Sequence, residues 1–402
     1  MLLPSFTQLL LLGLTTVHAL PQVDGTQLQP ASAQTAPLPQ ASSTALANPS
    51  SSSSSTAPSS GTACNNSPDL CSRAYNDVTY LGAHNSAFLR DASTDFTISG
   101  NHFFNATLAL DAGLRLLQAQ VHDKDGVLHL CHSSCSLLDA GPLVDWLSKI
   151  ETWIANNERD VVTILLVNAA DATAADFASA WQSSGLAAHG YAPPSTQSPL
   201  ATWPTLGEMI SSGKRLVSFI TQIDASPAAP YLLPEFSYVF ETHFEVTALT
   251  GFNCSIDRPS RAGDDGASAL AAGWLGLINH FKYQNVLGSI NFPDVNSIET
   301  VNDPGSSAVG NLGRQLNECA TAWGGQGNKK PNFVLIDFWS ENDPLKAVDA
   351  MNKVTSAEGR SRANVKELGP EGAKGRASAG RTSVDLGHAA LLAFVSWAVF
   401  LI

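Results

Sequence analysis

The chain has 402 residues, a formal net charge of −13 and only 14% charged residues. No basic cluster offsets that balance, which excludes nucleic acid as an expected partner, since phosphate backbones are gripped by clustered Lys and Arg. Six cysteines and three Asn-x-Ser/Thr sequons point instead to an oxidising, secretory compartment.

The chain opens on MLLPSFTQLLLLGLTTVHAL, where the apolar run Leu9–Leu14 is followed by Val17-His18-Ala19. A short apolar run ahead of a small-x-small site predicts a signal peptide over 1–19, too short for a span of about 20 apolar residues. Residues 20–62 are mostly Ser, Thr, Ala, Pro and Gln and include the run Ser50–Ser55. They have too little apolar surface to offset ordering entropy, which predicts a stalk. The folded domain is expected over 63–354, the length of one large α/β barrel. A polar linker follows over 355–388, and 389–402 (AALLAFVSWAVFLI) closes the chain. Small residues Ser378-Ala379-Gly380, the spacer Arg381–His388 and that apolar end predict a glycosylphosphatidylinositol anchor attached at Ser378. The most economical disulfide pairing joins Cys64 to Cys71, Cys131 to Cys135 and Cys254 to Cys319, one of several possible connectivities. The sequons place expected glycans on Asn65, Asn105 and Asn253. A monomer attached to the membrane through its lipid anchor is the expected form.

Between those ends, strand-like and helix-like segments alternate. Strands are expected at Val78–His84, Leu114–Val121, Val127–His132, Val161–Val167, Arg215–Ile220, Tyr238–Phe244, Leu275–His280, Val286–Phe292 and Phe333–Trp339. Helices are expected at Asn105–Ala112, Pro142–Asn156, Ala174–Ser184, Leu206–Ser212, Ser306–Trp323 and Pro344–Val354. In the second of these, Leu143, Trp146, Leu147, Ile150, Trp153 and Ile154 recur at helical spacing. Val161–Val167 is continuously apolar, as a strand covered on both faces must be. Repeated βα units without a Gly-rich phosphate fingerprint predict a TIM-type (β/α) barrel rather than a doubly wound sheet.

Strand residues two apart share a face. Tyr80, Gly82 and His84 alternate together, as do Leu116, Gln118 and Gln120, then Leu128, Leu130 and His132, and finally Phe333, Leu335, Asp337 and Trp339. If those faces point inward, His84, Gln118, Gln120, His132 and Asp337 meet at the C-terminal mouth of the barrel, where barrel enzymes keep their reactive groups. Two imidazoles there suit an acid–base pair, and Asp337 suits the group that fixes a histidine tautomer. His122 and His129 are assigned to surface or structure. The run His129-Leu130-Cys131-His132-Ser133-Ser134-Cys135 matches no zinc spacing, and its cysteines are expected to pair with each other. No metal or other cofactor is expected.

The motifs LGAHNS, GLRLLQAQ, LHLCH and VLIDFW, in that order, resemble the X-type barrel of phosphatidylinositol-specific phospholipase C, and most closely the secreted fungal phospholipase C-like phosphodiesterases. The resemblance covers most of Tyr75–Val354. It implies that His84 is the general base that takes a proton from the attacking inositol hydroxyl. It also implies that His132 is the acid that protonates the leaving oxygen, and that Asp337 orients the base. Asn85, Gln118, Gln120 and Trp339 are the expected substrate-binding residues, and the expected ligand is a phosphodiester or phospholipid head group. Bacterial members carry Asp after the first histidine and Asp and Arg on the second strand, where this chain has Asn85, Gln118 and Gln120. The calcium-dependent branch needs carboxylates where this chain has Gln118, Gln120 and Asn168. Arg115 lies on the opposite strand face, and Lys282 and Arg258 are the cations left to reach in from loops. The readings are therefore a metal-independent, surface-anchored phosphodiesterase, or a non-catalytic or weakly catalytic binding protein on the same barrel.

Overall fold

The computed structural model describes residues 63–195, 199–286, 290–324 and 329–361. The expected signal peptide, stalk, anchor site at Ser378 and apolar end lie outside the described residues. The domain runs past its expected limit at 354. Glu358 N donates to Asn66 O at 2.8 Å, and Arg360 makes two bonds, 2.6 and 2.8 Å, to Asp349.

Strand β1 (Tyr80–Ala83) leads through a long loop to α1 (Ala106–Ala112). Asn105 caps α1 by accepting from Leu108 N, and Gly113 at φ 111° ends it. Then come β2 (Leu116–Lys124), β3 (Val127–Cys131), β4 (Asp139–Pro142) and α2 (Leu143–Asn156). Helix α2 buries the six apolar residues that its spacing predicts. The chain continues through β5 (Val162–Asn168), α3 (Ala174–Ser184), α4 (Leu206–Ser211), β6 (Leu216–Ile220), β7 (Leu232–Pro234) and β8 (Val239–Thr242). It goes on through β9 (Ile256–Arg258), α5 (Gly266–Ala271), β10 (Leu275–Asn279), β11 (Tyr283–Val286) and β12 (Ile290–Pro293). It ends with α6 (Ile298–Val301), α7 (Leu312–Gly324), β13 (Phe333–Ile336) and α8 (Leu345–Asn352).

Strands β7, β6, β5, β2, β1, β13, β10 and β8 are hydrogen-bonded in that order, and each pair is parallel. The sheet curls into a TIM-type α/β barrel, with β9 as an antiparallel edge on β8. Alternation splits the strand residues between two cores. Tyr80, Leu116, Leu165, Phe219, Leu277, Phe333 and Leu335 fill the interior. Ala83, Leu117, Ala119, Ile164, Leu166 and Val334 pack outward against Trp146, Leu147, Phe177, Trp181 and Leu316 of the helices. Gly82 lies inside, where a Cβ would fall 2.7 Å from the Leu116 side chain, so the interior there accepts only glycine.

Two expected barrel strands take another form. β3 runs antiparallel to β2, because Asp125 and Gly126, both at positive φ, fold the chain straight back, whereas a parallel partner needs a crossover of roughly a dozen residues. Leu130 therefore joins the outer core and not the interior face expected for it. Val286–Phe292 is no single strand but covers the end of β11 and most of β12, which pair antiparallel. Helix α7 begins at Leu312 and not Ser306, while β7, β9 and α5 have no counterpart among the expected elements.

The disulfides are Cys64–Cys71, Cys131–Cys135 and Cys254–Cys319. Asn105 and Asn253 are exposed. Asn65 is 5% exposed, its Oδ1 accepts from Val161 N at 2.7 Å, and its Nδ2 is buried. A glycan on that nitrogen has no room in this fold.

At the other end of the barrel Arg115 Nε and Nη2 donate to Asp160 at 3.0 and 2.7 Å, and Nη1 donates to Leu110 O and Leu114 O. Removing one partner of such a buried pair strands the other charge. Asp160→Ala is expected to cost about 3–5 kcal/mol of unfolding free energy in urea titration. A loss below about 1 kcal/mol, the worth of a surface pair, contradicts this role.

Candidate active site

The residues that follow β1 and β13 meet at one mouth of the barrel. His84 Nδ1 lies 2.9 Å from Asp337 Oδ1. A carboxylate only accepts, so this contact puts the neutral ring's proton on Nδ1 and its lone pair on Nε2. Asn101 Nδ2 donates to the same Asp337 oxygen at 2.8 Å. Asn302 Nδ2 donates to Asp337 O and Phe338 O at 2.9 and 3.0 Å, which holds the turn after β13. His102 Nε2 donates to His84 O at 2.6 Å. Periodicity gives no hint of Asn101, His102 or Asn302, because all three stand outside the strands.

His132 reaches the same mouth from a different scaffold. It follows β3, its N–H donates to Leu138 O at 2.9 Å, and the Cys131–Cys135 bridge closes the loop around it. The ring stands edge-on to Phe88, with centroids 5.1 Å apart. Burial, then the nearby His84, push its pKa down from the ordinary 6.5 to about 4. His122 shares the parity of Gln118 and Gln120 along β2. It lies half-buried, close enough to His132 to depress its pKa further.

The expected substrate-binding residues separate into three groups. Gln118 and Gln120 stand on the inner face of β2, and each side-chain oxygen takes a backbone N–H, from Asn85 at 2.6 Å and from Ser133 at 3.2 Å. Asn85 is wholly buried, and both polar atoms of its side chain lack a partner among the described residues. Trp339 is not at the mouth. β13 ends at Ile336 and Phe338 takes φ 47°, so alternation resets. Trp339 turns into the outer core against Phe104, with ring centroids 5.8 Å apart. The two cations expected to reach in from loops are engaged elsewhere, Lys282 with Asp294 and Arg258 with Glu241.

With this geometry in view, comparison with known proteins becomes informative. The family PI-PLC X 1 matches residues 70–352. The chain belongs to the PI-PLC X family. It is 36% identical over 291 residues to PI-PLC X domain-containing protein 1 of Arthroderma benhamiae, spanning 72% of this chain and 89% of that protein. An uncharacterised secreted protein of the same organism is 35% identical over 278 residues, 69% of this chain and 60% of that one. Among solved structures, phosphatidylinositol-specific phospholipase C from Listeria monocytogenes is 12% identical, with a TM-score of 0.47, covering 71% of this chain and 96% of that one.

In this PI-PLC X domain the mouth is closely filled. His84 and His132 are 5% and 4% exposed. Phe281 lies flat on the His84 ring at 3.6 Å between centroids, and Tyr283 of β11 meets both rings edge-on. Burial and the neighbouring Asp337 raise the Tyr283 pKa, which keeps the phenol protonated. The calcium-binding pattern of part of the family does not fit here. Gln118, Gln120 and Asn168 offer neutral amide oxygens, and each already accepts a backbone N–H, from Asn85, Ser133 and Ala172, whereas calcium sites rely on anionic oxygens.

Burial also holds His102 at a pKa of about 4 and lowers that of His280. Unfolded, these rings and His132 titrate near 6.5. Their folded pKa values are depressed, so between about 6.5 and 4 the unfolded chain binds more protons than the folded one, and stability falls as pH falls through that window. The urea midpoint is expected to drop steadily from pH 7 to pH 4.5. A midpoint that is flat or rises over that range contradicts the neutral state of these rings.

Proposed function

We propose that this PI-PLC X domain is a secreted phosphoric diester hydrolase that cleaves phosphatidylinositol-type lipids, or phosphodiesters related to them, without a metal. The observation that carries the reading is the Asp337–His84 contact at 2.9 Å with His132 beside it. In the reaction, a substrate hydroxyl attacks phosphorus and its proton passes to His84 Nε2. The bond from phosphorus to the leaving oxygen breaks, and that oxygen takes a proton from His132. The products are a cyclic phosphodiester and an alcohol, and both imidazoles return to their starting states by proton exchange with water. Asp337 stabilises the imidazolium that forms on His84.

His132 is neutral near pH 7 in the free protein, since its pKa is about 4. A bound phosphodiester anion beside it raises that value and supplies the proton donor. The assay is release of a cyclic phosphodiester from phosphatidylinositol vesicles in EDTA. His84→Ala and His132→Ala are each expected to lower turnover by about 10²–10⁴-fold. No release by wild type with any phosphodiester lipid, or turnover unchanged in either variant, refutes the mechanism.

The closed mouth favours a second reading, a binding protein on the same barrel. Tight, salt-stable binding of phosphatidylinositol vesicles without turnover is its signature.

Secretion is supported by the three disulfides and by the secreted relative. Mass spectrometry of protein from a secreting eukaryotic host is expected to find glycans on Asn105 and Asn253, none on Asn65, and a lipid-bearing C-terminus at Ser378. A glycan on Asn65 in folded protein, or a chain that continues past Ser378, contradicts the corresponding part.

A further inference from the structure

Gln118 and Gln120 are two residues apart on the inner face of β2, and their side chains do parallel jobs. Gln118 Oε1 accepts from Asn85 N at 2.6 Å, and Gln120 Oε1 accepts from Ser133 N at 3.2 Å. Each donor is the residue immediately after a histidine of the site, Asn85 after His84 and Ser133 after His132. Both donors sit in the left-handed region, at φ 53° and 59°, a conformation that non-glycine residues keep only where their surroundings hold it. The grip on the first loop is doubled, because Ser86 N and Ser86 Oγ both donate to Gln118 O, at 2.7 and 2.9 Å.

We propose that Gln118 and Gln120 are positioning residues, and that β2 is the ruler that sets the separation of His84 and His132. Two strand residues span about 6.6 Å. That distance lets two imidazoles flank one phosphate group when each ring nitrogen lies a hydrogen bond of about 2.7–3 Å from its oxygen. The role needs an acceptor at the end of the side chain. A lysine or arginine at either position has none. The two loops otherwise share little. One follows a parallel barrel strand and the other an antiparallel hairpin, and β2 is the strand that touches both.

The kinetic consequence rests on the acid–base reading above, whereas the structural consequence does not. The test compares Gln118→Leu and Gln120→Leu, which lose the acceptor, with Gln118→Glu and Gln120→Glu, which keep it. Amide hydrogen exchange by NMR is expected to show loss of protection at Asn85 in Gln118→Leu and at Ser133 in Gln120→Leu. Protection along β10 stays unchanged in both, which shows that the barrel remains folded. On phosphatidylinositol vesicles, each Leu variant is expected to lose about 10- to 100-fold in kcat, with KM within about threefold because substrate contacts are intact. The Glu variants recover the amide protection and most of the lost kcat. A rise in KM at constant kcat in the Leu variants, or unprotected amides in wild type, overturns the proposal. So does loss of kcat in the Glu variants with protection intact, which makes the amide nitrogens phosphate donors instead. If wild type turns over no phosphodiester, the acid–base reading fails and amide protection alone decides the ruler.

Discussion

One oxygen, Asp337 Oδ1, organises this site. It receives His84 Nδ1 and Asn101 Nδ2 at 2.9 and 2.8 Å, and its residue is 6% exposed. A buried carboxylate is tolerable only when it is hydrogen-bonded, and since Asp337 Oδ2 has no partner among the described residues, the two contacts at Oδ1 carry that burden and the loop that brings Asn101 is a condition for Asp337 to sit there. That loop is itself tied down, with Asn101 N donating to Phe88 O and Phe338 N donating to Asn101 O, both at 2.9 Å. The tautomer of His84 thus depends on the backbone contacts that hold the Asn101 loop.

The barrel supplies the rigid frame for these contacts. Adjacent parallel strands β1 and β13, in register from Tyr80↔Phe333 to Ala83↔Ile336, deliver His84 and Asp337 to the same level one residue past their paired ends. Gly82 below them is packed against Leu116 without room for a Cβ. The second histidine is held differently, by a disulfide loop on a hairpin outside the parallel sheet. One histidine on the frame and one on a loop meet across a single strand, and β2 is the strand that borders both. The same closeness leaves the mouth nearly filled by Phe281 and the two rings, which fits a site that depends on dryness to make its few polar contacts strong.

Much of this was legible in the residues. Period-two alternation assigned the inner and outer faces of β1, β2 and β13, and so brought His84, Gln118, Gln120 and Asp337 to one mouth. It failed for Trp339, because β13 ends at Ile336, three residues before the expected end at Trp339, and Phe338 takes a left-handed turn. It was right about the location of His132 for the wrong reason. The Asp125-Gly126 turn makes β3 antiparallel, and Leu130 lies in the outer core while the loop carries His132 inward. Asn101, His102 and Asn302 left no trace in the pattern, since loop residues obey no period and their partners are distant in sequence.

By itself, the sequence determined what local chemistry and strand period can determine. It set the barrel class, the inward histidine and carboxylate, the secretory ends as expectations and the most economical cysteine pairing. Only the tertiary structure decided which sequon nitrogen is buried, that Lys282 and Arg258 are held by Asp294 and Glu241, and that two glutamines accept backbone N–H groups from the residues beside the histidines. Those outcomes depend on contacts between segments tens to hundreds of residues apart, such as Asn101 with Asp337. The energies of such contacts are set by burial and geometry, which no local pattern encodes.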